Sequence, residues 1–279
     1  MRIIDTSKIE ETVYDLALSA CVSVTPECEE KMRTAESVEN NPLSLFALKN
    51  MNENFNVANK TGLPVCQDTG IACVMLSIGQ DVYFTGKLLS DAIYDGVKRA
   101  YSDGAFRKSV LDPITRENTG DNTPAMIYTE IVSGDKVTVE FLPKGFGSEN
   151  MSKIYMLTPA DGVDGVIDKI VETVKNSGSK PCPPVYVGVG IGGTFDKCAY
   201  LAKKALTRPI GSKNPREDVS KIEEEALKRI NELNIGAQGF GGKTTALGVS
   251  VEVMPTHIAG LPVAVNIQCH CVRAKKAVI

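Results

Sequence analysis

Apolar positions at helical spacing open the chain. Ile9, Val13, Leu16 and Ala20 predict a helix over about 8–21, with Ser7 and Glu10 placed for a capping box. Asn41-Pro42 marks a second helix start, running through Leu45, Leu48 and Met51 towards a stop at Gly62. Thr25-Pro26 reads as a further start. Strand-like runs follow at 71–78, 82–85, 125–132 and 136–142, the last two read as a hairpin across Ser133-Gly134-Asp135. Between them 88–101 is amphipathic and helical, whereas 103–124 has no period and reads as a long loop, of the kind that is usually functional or disordered. The second half predicts helices at 163–177, 194–206 and 216–233, with strands at 184–190, 245–254 and 262–268.

This alternation predicts an α/β fold: mixed sheets with flanking helices. The expected layout is one domain over 1–279, divisible into two closely packed lobes at 1–150 and 151–279, with loops between them carrying the chemistry. A chain of 279 residues with 43% hydrophobic content can bury such a core. Net charge is −3 with both signs interspersed, which argues against a nucleic-acid binder; a small anionic substrate would need local arginines. No apolar run is long enough for a membrane helix, and Met1-Arg-Ile-Ile-Asp-Thr leads straight into a helix, so a cytoplasmic protein with reduced thiols is expected.

The eight cysteines are not equivalent. Cys21, Cys73 and Cys198 fall in the apolar phase of predicted elements and read as small buried hydrophobes, while Cys28 reads as structural or merely exposed. Cys66, Cys182 and Cys269 instead border loops rich in Gly or Pro, where segments distant in sequence can converge on one metal. Three thiolates are one short of closing an iron–sulfur cubane, which would leave an iron open to act as a Lewis acid. No Cys-x-x-Cys occurs, so a zinc finger and a ferredoxin-type carrier are both disfavoured. Both histidines, His257 and His270, lie near Cys269 in sequence, and that trio could alternatively bind zinc. A non-catalytic scaffold with packing cysteines is the third reading.

Two glycine-rich runs fail as nucleotide motifs. Gly188-Val-Gly190-Ile-Gly192-Gly193-Thr194 lacks the Gly-x-Gly-x-x-Gly spacing and reads as a tight turn at a helix start, suited to a carboxylate or to close packing. Gly236 to Thr244 lacks the phosphate-loop spacing and is followed by a strand-like run rather than a helix.

Taken in order, Leu63-Pro-Val-Cys66-Gln-Asp68-Thr-Gly70, Asn118-Thr-Gly120, Lys144-Gly-Phe-Gly-Ser-Glu-Asn150, Cys182-Pro-Pro184, Val187 to Thr194 and Pro255-Thr-His257-Ile-Ala-Gly-Leu-Pro262 resemble the class I iron–sulfur fumarate hydratase and L-tartrate dehydratase family, over about 5–275. The resemblance is to the alpha subunit of the two-subunit form, and it implies a beta subunit and a higher oligomer of the pair, two of each. It implies Cys66, Cys182 and Cys269 as the three ligands of a [4Fe–4S] cluster; Cys271 competes with Cys269, and the pattern Cys269-x-x-x-Arg273 favours the earlier residue. Asp68 resembles the acid/base-relay aspartate, Arg107 the arginine that grips a substrate carboxylate, and His257 a substrate-contacting histidine. Gly147 would offer a backbone amide, with Gly145 as the alternative. The implied reaction is reversible hydration of fumarate to L-malate, with L-tartrate dehydration as the alternative.

Overall fold

The computed structural model describes residues 1–279. In chain order, β1 (Arg2–Asp5) leads into α1 (Thr6–Val22), α2 (Pro26–Val38) and α3 (Pro42–Thr61). Then come β2 (Ile71–Gly79), β3 (Val82–Thr85), α4 (Leu89–Asp103), β4 (Met126–Val132), β5 (Val137–Lys144) and the single-turn α5 (Phe146–Glu149). The rest is β6 (Lys153–Leu157), α6 (Gly162–Ser177), β7 (Val185–Gly192), α7 (Phe195–Ala205), α8 (Glu217–Glu232), β8 (Ala246–Met254), β9 (Leu261–Gln268) and β10 (Lys275–Val278). The mixed α/β architecture agrees with the sequence reading. No helix is long and apolar enough to cross a membrane.

The chain folds as two compact units, each assembled from separate stretches. The first comprises Met1–Val24, Val57–Phe146 and Arg273–Ile279; the second comprises Thr25–Asn56 and Gly147–Val272.

In the first unit a four-stranded sheet has the order β10-β5-β2-β4, and β1 pairs in parallel with β3. Ile9, Val13, Ala17 and Ala20 of α1 and Ile93, Val97, Ala100 and Tyr101 of α4 bury one face of each helix against Ala72, Val74, Leu76, Val139 and Phe141. The two helices cross where a Cβ on Gly96 would stand 2.6 Å from the Glu10 carbonyl, so only glycine fits there. Helix α1 begins two residues earlier than the sequence suggested. Its N-cap is Asp5, whose side chain accepts the Ser7 N–H, and Glu10 pairs instead with Lys87 and Arg99. Asp5 outcompetes the Ser7/Glu10 box because a carboxylate at an N-cap also meets the helix dipole.

The expected hairpin of β4 and β5 does not form. Strand β2 lies between them, parallel to β4 and antiparallel to β5. Its nearly unbroken buried run from Ala72 to Leu76 needs partners on both edges. The 133–136 turn therefore wraps the end of β2: the amides of Gly79, Gln80 and Asp81 donate to the carbonyls of Lys136, Val132 and Gly134.

In the second unit the sheet order is β6-β9-β7-β8, with β7 parallel to β8 and antiparallel to β9. Period-2 alternation sends Val185, Val187 and Val189 of β7 and Val263, Val265 and Ile267 of β9 towards α6 and α8, which supply Ile167, Ile170, Val174, Ile222, Ala226 and Ile230. The opposite face carries α7. There a Cβ on Gly188 would stand 2.2 Å from the Ala202 carbonyl, and one on Gly190 2.0 Å from that of Cys198. The Val-Gly-Val-Gly repeat is thus a packing code that lets a helix backbone rest on a strand backbone. Helix α2, expected only from its Thr25-Pro26 start, buries Cys28, Met32 and Ala35.

Candidate functional site

The first unit contributes one candidate cysteine loop and the second contributes two. In the first, Val65 is buried and donates its N–H to the Cys21 carbonyl at 3.0 Å, which fixes the loop just before the half-buried Cys66. Asp68 follows, with Oδ1 accepting the Gly70 N–H at 3.1 Å and Oδ2 accepting the Phe146 N–H at 2.9 Å. The Asp68 carboxylate therefore caps its own turn and also ties it to the start of α5. Gly145 is buried beside it; a Cβ there would stand 3.1 Å from Asp68 Oδ2.

Three side chains that the sequence did not single out for this task hold the loop's carbonyls. Tyr101 Oη donates to Thr69 O at 2.8 Å and lies 3.1 Å from Gly70 O. Asn122, fully buried at φ +64°, donates Nδ2 to Gly70 O at 3.2 Å, and Arg273 donates Nη2 to Asp68 O at 3.1 Å. Burial pushes the Tyr101 phenol well above its ordinary value, so it remains an O–H donor. Thr69 Oγ1 donates to the carbonyl of Arg107, which places that exposed arginine's backbone beside the loop. Residues 103–124 form an irregular loop, as expected, with one bridge between Leu111 and Asn118.

In the second unit, Cys182 and Cys269 are brought to the same end of the sheet. Cys182 lies just before β7 and Cys269 just after β9, and those strands are antiparallel. The Cys182 carbonyl accepts the His270 N–H at 3.4 Å and lies 3.0 Å from His270 Nδ1. The His270 ring also stacks on Phe55, with centroids 6.2 Å apart. Cys182 is exposed and held at φ +55°, a left-handed conformation that costs a non-glycine residue about 1–2 kcal/mol and is tolerated mainly where function requires it. Gly147 is exposed on α5, and a Cβ there would stand 3.7 Å from the Lys180 carbonyl, so it lies next to the Cys182 segment.

Between the two rival cysteines, Cys269 is half-buried and receives Gln268 Nε2 at 3.6 Å, whereas Cys271 is only 2% exposed. The remaining thiols are packing. Cys21, Cys28, Cys73 and Cys198 are all buried. Burial pushes Cys28 up to about 12 and Cys21 to about 11, so both stay protonated, and Cys28 donates to the His270 carbonyl at 3.0 Å.

Glu39 braces the same end. Its carboxylate accepts the amides of Asn40, Asn41 and Lys243, each at 2.9 Å, and the 237–239 turn is tied back through Gln238 N–H to the Pro183 carbonyl. Burial alone would push the Glu39 carboxyl up, but the amides of Asn41, Lys243 and Asn40 together hold it below its ordinary value. The lysine-bearing glycine turn is therefore a carboxylate-braced corner.

His257 lies elsewhere. It precedes β9 whereas Cys269 follows it, and the eight extended residues of that strand span roughly 23 Å at about 3.3 Å per residue. Exposed in a turn, His257 accepts the Ala259 N–H at Nδ1. The zinc set of Cys269, His257 and His270 is consequently not assembled, because β9 holds two of its members at opposite ends. Gly192, Gly193 and Thr194 share the His257 end, with the Gly193 N–H donating to Pro255 O and Thr256 Oγ1 donating to Gly193 O.

Neither unit by itself groups three His, Cys, Asp or Glu side chains at a spacing that would hold a metal ion. The donor chemistry that is present suits an iron–sulfur group: two accessible thiols on loops pinned together, with an amide donor aimed at one of the sulfurs.

Comparison with known proteins accounts for the ordered motifs. The fumarate hydratase (Fumerase) family profile matches residues 10–278. A Methanocaldococcus jannaschii protein provisionally named L(+)-tartrate dehydratase subunit alpha is 40% identical over 268 residues, covering 94% of both chains. The L(+)-tartrate dehydratase subunit alpha of Escherichia coli K12 is 27% identical over 267 residues, covering 94% of this chain and 88% of its own, as is that of Shigella sonnei. A match over nearly the whole length makes this chain a member of the fumarate hydratase family.

Proposed function

We propose that this chain is the alpha subunit of an iron–sulfur hydro-lyase acting on a four-carbon dicarboxylate, with fumarate and L-malate as the pair it interconverts. Cys66, Cys182 and Cys269 supply the thiolates for a [4Fe–4S] cluster. The observation that carries the reading is the joining of the Cys182 and Cys269 loops through His270, at one end of a rigid sheet. When bound, the cluster supplies a Lewis-acidic iron that polarises the C–O bond made or broken in hydration.

The chain's own residues supply the rest of its share. Asp68 Oδ2, held by the Phe146 N–H, is the carboxylate oxygen through which a proton is relayed. Arg107 grips a substrate carboxylate with its planar fork, and the Gly147 N–H is a backbone donor to substrate. His257 serves as a substrate contact supplied by a second copy of the chain, since β9 keeps it far from its own Cys269. That arrangement fits the proposed oligomer of two alpha and two beta subunits. The beta partner is supported by the relatives' names as alpha subunits, and it supplies the remaining substrate groups. Reduced thiols fit work in the cytoplasm, and an iron without a thiolate makes the enzyme oxygen-sensitive.

The relatives' names favour a second reading, in which L(+)-tartrate is dehydrated at the same site. L-Malate and L(+)-tartrate differ by one hydroxyl, a distinction that a few pocket groups can make. Assay of the anaerobically purified alpha–beta pair with fumarate, L-malate and L(+)-tartrate decides between them. Fumarate hydration well above tartrate dehydration is expected, and the reverse ranking hands the site to tartrate. The isolated alpha chain should bind iron and sulfide yet turn over neither acid; full activity without a partner would remove the beta subunit from the proposal.

A further inference from the structure

Gln268 is the last residue of β9, fully buried, and it stands on the face that carries α7 rather than among the valines facing α6 and α8. Its Nε2 lies 3.0 Å from the Cys271 carbonyl and 3.6 Å from Cys269 Sγ. The carbonyl fixes the orientation of the amide, because reversing it would set Oε1 against another acceptor. One N–H of the amide is thereby spent on Cys271 and the other is directed at the sulfur. Meanwhile Gln268 Oε1 is buried with no partner. A buried acceptor left in that state costs about 1–3 kcal/mol, which offsets what the bond to the Cys271 carbonyl contributes, so packing gives no net reason for a glutamine here.

We infer that Gln268 is a positioning residue for the cluster, an N–H···S donor to the Cys269 ligand that stabilises the more negative redox state and protects the cluster from oxidation. This rests on the proposed ligation by Cys269 and adds to it a donor that faces the ligand sulfur. The physical ground is general: donors to ligand sulfurs withdraw negative charge and raise a cluster's reduction potential, and buried partners of ligands set how firmly the metal is held. With the donor removed, the cluster gives up one electron to dioxygen, which is reduced, more readily than before.

The test compares the wild-type chain with Gln268→Leu and Gln268→Glu, each purified anaerobically as the full chain and reconstituted with iron and sulfide. Iron and sulfide per chain should match across wild type and Gln268→Leu. In Gln268→Leu the reduction potential should move to a more negative value, and the cluster's visible absorption should bleach in air roughly tenfold faster. Gln268→Glu keeps the shape but sets an acceptor against both the sulfur and the Cys271 carbonyl, and should bleach at least as fast. The melting temperature of the cluster-free Gln268→Leu chain should stay close to that of wild type, because the orphaned Oε1 is gone while the Cys271 carbonyl loses its donor. An unchanged potential and bleaching rate in Gln268→Leu overturns the inference, as does a lowered cluster-free melting temperature that alone accounts for faster loss. If wild-type chain takes up no iron, the ligand assignment itself fails, and Gln268 falls with it.

Discussion

The two ends of the β7–β9 pair use the same backbone for opposite purposes. At one end, two cysteines, a stacked histidine and a buried glutamine crowd around loops that are pinned to each other, and Cys182 sits in a conformation most side chains avoid. At the other, Gly192, Gly193 and an exposed His257 form a turn whose bonds are almost all backbone to backbone or within the turn. Reactive side chains collect where loops are over-determined by packing. Glycines collect where the backbone itself is the packing surface, and between the ends Gly188 and Gly190 let α7 close onto the sheet.

The largest effect expected from this contrast is at the thiol end. Serine at Cys182 or Cys269 should lower iron and sulfide content and cut hydration by about 10³-fold or more, equivalent to about 4 kcal/mol of barrier, with little change in the melting temperature of the cluster-free chain. Unchanged iron and activity would dissolve the distinction between the ends. Next comes Gly190→Ala. Its methyl would sit 2.0 Å from the Cys198 carbonyl, and a stability loss of about 3 kcal/mol is expected, read as a fall in denaturation midpoint with the iron content of the folded fraction intact.

Asp68→Asn tests the other unit's segment. It keeps one of the carboxylate's two acceptors and removes the proposed proton relay, so activity should fall by about 10²-fold or more at unchanged iron content. Loss of iron instead would make Asp68 a scaffold residue.

Glu39→Gln gives a smaller effect, about 1–3 kcal/mol, with a pH signature. The folded carboxyl is held below its ordinary value, so wild type carries this stabilisation above the unfolded carboxylate range and loses it as pH falls through the folded value. The gap in melting temperature between wild type and Glu39→Gln should therefore narrow on acidification. A gap that is constant with pH would show that the brace is not electrostatic. Smallest of all is His257→Ala, an exposed turn residue, which should leave stability within about 0.5 kcal/mol and iron content unchanged. Reduced activity in that variant, restored on mixing with a Cys182→Ser chain, is the outcome expected if a second copy supplies the histidine.

Much of this was legible in the sequence where patterns are local. The amphipathic runs that became α1, α4, α6, α7 and α8 carry their period openly, and their boundaries fall within about two residues of those expected. Three strands escaped because β1, β6 and β10 have four or five residues and mix charged with apolar positions. The hairpin failed for a different reason: the partner of β5 is chosen by the burial demand of β2, far back in the chain, rather than by the turn that precedes it. Among the candidate site residues, loop placement separated Cys66, Cys182 and Cys269 from the buried thiols. Asn122, Tyr101 and Gln268 gave no such signal, because an amide or phenol reveals its partner only when a distant carbonyl or sulfur arrives beside it.

One tie has a bearing on the order of events during synthesis. Arg273 holds the Asp68 carbonyl, and β10 pairs with β5 at the edge of the first unit's sheet, so a segment more than two hundred positions downstream braces the loop that presents Cys66. A nascent chain emerging from the ribosome has that loop long before it has its clasp. On the proposed ligation, metal delivery to such a growing polypeptide would meet an unfastened Cys66, which places insertion of that cluster after translation of the β10 stretch, when the late residues have folded back to lock the early ones.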